Sequence, residues 1–404
     1  MTKILLIGEA RGVTEDEYDH GFTGSSGIEL SFMLHDAGLV HNHVLLCSKC
    51  DSWSTFPQCE SCLNPLYPSP QDMIRFWSEV KSNFDFEITN VFEVHPENND
   101  LGHIFSPQRN SFMPGLKYNP KRPISYVKPE YQDHVHNLWK RIHASKPNLC
   151  LLLGNTAAWA VLQQVNISAI RGTITQSEKL GVKCLGTFHP ANILRDWPNR
   201  VVALADFQKA KRECEFPNVK RVRRKAIYNA DIQTIRNWLN LPSDRYTIDI
   251  ESGYALYTKA ELDNMTKQMR YLLSSQISMI GFSREHKESN LDPGLDSLVI
   301  EFMTRNKPNL SYWDNLDDET QAWELAQVGL AKPIPKTFQN GIYDITRMMY
   351  MGLETVQPRD DTMLRHHSYL PEMKKGLGFL GSIYASEVAW KLMYKSGESL
   401  KGDS

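Results

Sequence analysis

The chain has 404 residues, room for two or three domains of ordinary size. Hydrophobic residues make up 41% and charged residues 23%, ordinary globular usage that excludes wholesale disorder. Lysine plus arginine number 45 against 47 acidic residues, a net charge of −2, which excludes a basic coat but not a local basic patch for phosphates.

The opening MTKILLIGEARG has only Ile4–Ile7 as an apolar run, too short for a secretory signal. No run of about 18 apolar residues occurs, so no membrane span is expected. Seven cysteines, four of them in two C-x-x-C pairs, suit a reducing compartment and a metal better than disulfides. The expectation is a soluble, cytoplasmic protein.

In chain order, Lys3–Ile7 reads as a buried strand running into the loop Gly8–Gly12. Leu30, Met33, Leu34 and Ala37 then mark one face of a helix. Leu149–Leu153 is a second buried strand, broken at Gly154, with Thr156 placed to cap a helix through Gln164. A third strand, Val182–Phe188, leads into His189-Pro190, and a helix from about Arg200 to Glu213 closes the unit. Strands alternating with helices predict an α/β domain with a mostly parallel sheet. Sites in such sheets lie beyond the strand C-termini, which singles out Gly8–Gly12 and His189.

The boundary is expected over residues 214–228, a linker holding the basic run KRVRRK at Lys220–Lys225. Such a run is a solvated linker or, beside a nucleic-acid site, a phosphate contact. Asp231–Leu241 predicts a short helix, Tyr246–Ile250 a strand, and the stretch to Leu273 is helical. Strands follow at Ile277–Ser283 and Leu298–Phe302, a helix at Glu319–Gly329, and a strand at Lys336–Gln339. A last helix carries Asp344, Met348 and Met351 along one side.

Asp249 and Glu251 stand two apart in the strand-like TIDIES, so both carboxylates point to one face. Adjacent anions repel unless a cation or proton intervenes, and Mg²⁺ (or Mn²⁺) with oxygen ligands is the economical answer. Asp344 can supply a third carboxylate, and two metals held this way would stabilise both oxygens of a phosphodiester displacement. Asp249 and Glu251, Asn340 and Asp344, and the later Asp361-Thr362-Met363, His366–Pro371 and Lys375-Gly376-Leu377 together resemble the DEDD-type 3′–5′ exonuclease domain of phage and bacterial family A DNA polymerases, over about residues 225–395. The resemblance implies a ribonuclease H-like α/β fold. The third motif of that family, a Tyr or His four residues before an Asp, is not found. Tyr384 is followed at that distance by Val388, and only Tyr394 with Glu398 offers a weaker substitute. The exonuclease is therefore expected to be inactive, or completed by another polypeptide.

In the first half, Gly8-Glu9-Ala10-Arg11-Gly12, Gly21-Phe22-Thr23-Gly24, Ser26-Gly27, Ile88–Val91, Leu151–Ala158, Arg171-Gly172 and His189–Arg195 occur in order over about residues 3–210. Together they are similar to family 4-type uracil-DNA glycosylases, which implies a three-layer α/β/α domain. Cleaving a base from deoxyribose creates a cationic sugar and an anionic base. A carboxylate such as Glu9 can steady the cation or orient water, and His189 can donate to the base oxygen. The base must first leave the stack and be gripped. By the resemblance, Phe22 would stack on it and Asn90 would distinguish uracil from cytosine. Gly8 and Gly12 would let sugar and phosphate approach, with Arg195 also in the binding site and Glu15 nearby. Arg11 stands where the family has proline, a positive charge expected near the sugar. The iron–sulfur cysteines of the family are absent.

Instead, Cys47-x-x-Cys50 and Cys59-x-x-Cys62 form two knuckles in an insert at about 44–66. Their spacing predicts a structural Zn²⁺ that supplies folding free energy, with an iron–sulfur cluster as the alternative that colour would reveal. Cys150, Cys184 and Cys214 read as small apolar residues.

The expected architecture is thus a glycosylase-like domain at 1–213, a linker at 214–228 and an exonuclease-like domain at 229–404. The expected function is removal of uracil from DNA, single-stranded or primer–template, coupled to phage replication with a separate DNA polymerase chain, in the host cytoplasm if phage-encoded. The alternative is a non-catalytic DNA-binding scaffold or accessory subunit of that polymerase.

Overall fold

A computed structural model describes residues 2–41, 45–47, 52–54, 62, 68–80, 82–106, 126–220, 225–285, 296–307 and 309–385. The chain divides into two compact units, residues 1–220 with 381–404, and residues 221–380. The last described residues, Gly381–Ala385, therefore group with the first unit, whereas the sequence suggested an unbroken second domain from 229 onward.

The first unit is built on strands β1 (Thr2–Ala10), β2 (Phe84–Phe92), β3 (Leu149–Leu153), β4 (Ile174–Gln176) and β5 (Lys183–Thr187). Their order is β2-β1-β3-β5-β4, parallel except for the antiparallel edge strand β4. Ile4–Ile7 and Leu149–Leu153 are continuous apolar runs because parallel strands are covered on both faces, and both runs are fully buried. Helices α1 (Ser25–Asp36), α2 (Gly154–Leu162), α3 (Pro190–Arg195) and α4 (Asn199–Glu213) belong to this unit. One core cluster joins Leu5, Ile7, Val91, Phe92, Leu152 and Trp159. Parallel pairing brings the C-terminal ends of β1, β2, β3 and β5 to one edge of the sheet.

Cys47 ends a short strand, Leu45–Cys47, paired antiparallel with Ser52–Ser54. Cys50 and Cys59 lie outside the described residues, and with them the expected four-cysteine site. So do Arg221–Arg224 of the basic run, and Tyr394 and Glu398.

The second unit carries β6 (Lys225–Ile227), β7 (Arg245–Ser252), β8 (Ile277–Glu285), β9 (Asp296–Glu301), β10 (Lys336–Phe338) and β11 (Pro358–Asp361). Their order is β6-β9-β8-β7-β10-β11. β7, β8 and β9 form an antiparallel meander, and β10 and β11 add in parallel on the far side of β7. Tyr246, Ile248 and Ile250 point into the core while Thr247, Asp249 and Glu251 point out, so one face of β7 is apolar and the other acidic. Helix α5 (Gly341–Tyr350) follows β10, and Met348 joins the core. Helix α6 (Leu377–Tyr384) is the last described element. Among the described residues no helix is long and apolar enough to cross a membrane.

Candidate functional site

In the first unit the strand ends assemble Gly8, Glu9, Phe22, Asn90 and His189. Gly8 on β1 pairs in register with Asn90 on β2. A Cβ at Gly8 would stand 2.3 Å from Asn90 Oδ1 and 2.7 Å from Phe22 Cζ, so only glycine lets the carboxamide and the ring meet there. Phe22 is buried and holds a left-handed backbone (φ 59°), a costly conformation for a bulky residue and one found at ligand clamps. Trp77 Nε1 donates to the Phe22 carbonyl (2.9 Å) and fixes that turn. The Phe22 ring lies 6.4 Å from the His189 ring, tilted by 31°.

Asn90 is buried, and its backbone N–H donates to Glu93 Oε1 (3.1 Å), which also accepts from Thr89 Oγ1 (2.8 Å). Glu93 thus steadies the strand end from which the Asn90 carboxamide projects.

Glu9 accepts from Thr156 Oγ1 at 2.5 Å. Burial raises its carboxyl above the usual range, opposed by that hydrogen bond and by the positive charge of Arg195. Thr156 was expected to cap a helix; in the structure Leu153 holds the cap position and the Thr156 hydroxyl serves Glu9 instead. The helix ends at Leu162, before the expected Gln164.

His189 is the N-cap of α3, and its Nδ1 accepts from the Ala191 N–H (3.2 Å). That bond assigns the ring proton of the neutral imidazole to Nε2. Burial, and then the charge of Arg195, lower the imidazole to about 4. His189 is therefore neutral at pH 7 and a hydrogen-bond donor through Nε2. Arg195 ends α3 exposed, and its charge reaches both Glu9 and His189.

Gly12 precedes a short helix, Val13–Glu17, where the Glu15 carboxylate packs over it and accepts from Gly24 N (3.2 Å). Glu15 is thus spent on closing the loop. The positive charge expected near the sugar is engaged elsewhere, because Arg11 donates to Glu93 (3.0 Å) and Asp19 (2.6 Å).

The second unit presents a different constellation. Asp249 and Glu251 share the outward face of β7, and Asp344 on α5 accepts from the Ile250 N–H (3.1 Å). Burial raises Asp249, and burial with the charge of Asp249 raises Glu251. Burial, with the charges of Asp249 and Asp361, pushes Asp344 up to about 6 against the hydrogen bond from Ile250. A divalent cation would relieve this crowding. Among the described residues no group of three or more His, Cys, Asp or Glu is disposed to hold a metal ion. Asn340 is left-handed (φ 59°), and its N–H and that of Gly341 donate to Asp361 (3.2 and 2.7 Å).

The strand edge of the first unit thus brings together a carboxylate, an aromatic ring, a carboxamide and an imidazole. The sequence matches the family described as the uracil DNA glycosylase superfamily over residues 1–214, more than half of the chain. The chain belongs to that superfamily, whose activity is of the DNA glycosylase type, a hydrolysis acting on DNA. A search of curated proteins gives no match.

Sequence reasoning marks Thr156 only as a cap, missing its bond to Glu9, and misses Trp77 and Glu93 altogether. Each acts through a partner distant in the chain or through the backbone.

Proposed function

We propose that the first unit is a uracil-DNA glycosylase that hydrolyses the bond between uracil and deoxyribose. The observation that carries this reading is the His189 imidazole at the strand edge, its Nδ1 taken by the Ala191 N–H so that Nε2 is left as the donor beside Phe22. A flipped uracil would stack on Phe22 while the Asn90 carboxamide reads its pairing edge. As the glycosidic bond breaks, the electron pair leaves with the base, and His189 Nε2–H stabilises the charge on the uracil oxygen. Glu9 steadies the cationic sugar and orients the water that adds to its anomeric carbon, and the proton that this water sheds neutralises the departed uracil anion. Arg195 faces outward, suited to a phosphate of the same strand.

The test uses a 5′-labelled single-stranded oligonucleotide with one internal uracil, in EDTA, followed by hot alkali. A single uracil-dependent cut that vanishes in His189→Ala is expected. Equal cutting by His189→Ala, or none by the native protein, overturns the reading.

For the second unit we propose an exonuclease-like module that holds DNA. The two carboxylates on one face of β7, with Asp344 across from them, support it. They would take Mg²⁺ or Mn²⁺ in a site completed by a separate polymerase chain, because the third motif of the resembled family is not found in the sequence. The second reading, for the whole chain, is a non-catalytic DNA-binding scaffold or accessory subunit of a replicative polymerase, in a phage-infected cytoplasm. A 3′ ladder from the isolated chain with Mg²⁺ would show that no second chain is needed and would overturn the scaffold reading. The four-cysteine insert is proposed as a zinc site on its spacing alone.

A further inference from the structure

Behind the His189 loop lies a buried ion network that the proposed mechanism does not use. Arg171, Asp206 and Lys209 are each at most 2% exposed. Arg171 Nε donates to Asp206 Oδ2 (2.8 Å), its Nη2 to Asp206 Oδ1, and its Nη1 to Ser382 Oγ (3.0 Å). Asp206 Oδ2 also accepts from Thr187 Oγ1 (2.8 Å). Lys209 Nζ donates to the carbonyls of Gly172 (2.6 Å), Ser382 (2.5 Å) and Ala385 (2.6 Å).

Two cations against one carboxylate leave excess positive charge in the interior, so the carbonyls facing Lys209 must compensate it. Two of those three carbonyls come from the end of α6 and the residue after it, where the helix dipole is negative. The approach is close. Gly172 is left-handed (φ +72°), and a Cβ there would stand 2.6 Å from Ser382 O and 2.7 Å from Asp206 Oδ1.

Gly381–Ala385 group with the first unit although they lie far beyond residue 214, where the family match ends. Thr187, gripped by Asp206, ends β5 two residues before His189. We infer that Gly381–Ala385 form a clip and Lys209 is a positioning residue: together they complete the Arg171–Asp206–Thr187 network and hold the His189 imidazole in register with Glu9 and Asn90. This rests on the glycosylase reading. Without the clip Lys209 loses two of its three acceptors, Asp206 is free to turn from Thr187, and the end of β5 loosens.

The test compares full-length native protein with Lys209→Met and the conservative Lys209→Arg. Four quantities are read: single-turnover uracil release, KM for the oligonucleotide, the His189 ring signals by NMR, and hydrogen exchange of Gly381–Ala385. In Lys209→Met, uracil release should fall about tenfold to hundredfold, as small misplacements of reacting groups do. KM should stay within about twofold, because substrate contacts are untouched. The His189 signals should shift, Gly381–Ala385 should lose exchange protection, and Lys209→Arg should recover part of the rate. A Lys209→Met protein with reduced thermal stability but native rate and native His189 signals would overturn the inference. If the native protein releases no uracil, the glycosylase reading falls separately, and unchanged His189 signals in Lys209→Met would still sink the positioning role. Should Lys209→Met fail to fold, Ser382→Ala removes only the hydroxyl facing Arg171 and carries the same readouts.

Discussion

At the edge of the first sheet, Glu9, Asn90 and His189 arrive from different parallel strands, and each meets a partner that settles its charge or orientation. Thr156 and Arg195 oppose the burial of Glu9, a backbone N–H fixes the imidazole, and Glu93 steadies the strand bearing the carboxamide. On β7 of the second unit, Asp249 and Glu251 come from one strand with Asp344 opposite, and their charges add. Convergence of strand ends gives each group a partner of its own. Alternation along a single strand sets like charges side by side on one face.

The largest way to break the comparison is at His189. Its replacement by alanine removes the one fixed donor, and uracil release should fall about 10²–10³-fold, the usual cost of an oxyanion-type donor. Loss of the alkali-sensitive cut with unchanged oligonucleotide affinity would confirm that the donor acts in the transition state. Gly8→Ala should follow closely. Its methyl group would enter the space between Asn90 Oδ1 and the Phe22 ring, so uracil binding should weaken by at least about tenfold. A gel-shift titration with uracil-containing DNA reads it, and native affinity would mean that Phe22 and Asn90 do not form the base site.

The two titrating groups of the first site separate in pH. Glu9 must be ionised to act, and its carboxyl is raised, whereas His189 stays neutral until about 4. As the pH falls, the first loss of rate is therefore protonation of Glu9, about tenfold per unit below its pKa. Glu9→Gln should lower the plateau and abolish that limb; a limb that survives would assign it to another group.

In the second unit a carboxyl raised in the same direction is read through stability instead of rate, because there the charge itself is the liability. Asp344 is raised from 3.8 to about 6, so its contribution to stability is present in full below 3.8 and lost as the pH rises through about 6. Asp344→Asn removes the anion while its side-chain oxygen still accepts from Ile250. At pH 7 the variant should be roughly 1–3 kcal/mol more stable to urea, with the gain vanishing as the pH falls to 3.8. A destabilised variant would mean that a cation already compensates the group.

Much of this was legible before the structure. Continuous apolar runs named β1 and β3, because a parallel strand hides both faces, and the alternation in TIDIES put Asp249 and Glu251 on one face of β7. Gly8, Phe22, Asn90 and His189 do come together. What stayed hidden depends on partners far along the chain. Thr156 reads locally as a cap, yet its hydroxyl serves Glu9, and the left-handed backbone of Phe22 is held by Trp77. The docking of Gly381–Ala385 in the first unit leaves no periodic trace, since it is made by carbonyls rather than side-chain pattern.

Arg11 gives the smallest effect and the sharpest lesson about reading charge from sequence. Its place in the Gly8–Gly12 loop suggested a cation for the sugar or a phosphate, but its guanidinium spans Glu93 and Asp19. Both pairs are partly open to solvent, and such pairs contribute about 0–1 kcal/mol. Arg11→Ala should therefore cost at most about 1 kcal/mol of stability and leave the salt dependence of DNA binding unchanged, since no phosphate contact is lost. A shallower slope of affinity against salt in Arg11→Ala would show that the guanidinium leaves Glu93 for DNA. Glu93 would then be released as well, and with it the hydrogen bond that holds the Asn90 backbone, so base recognition and phosphate binding would be linked through one side chain.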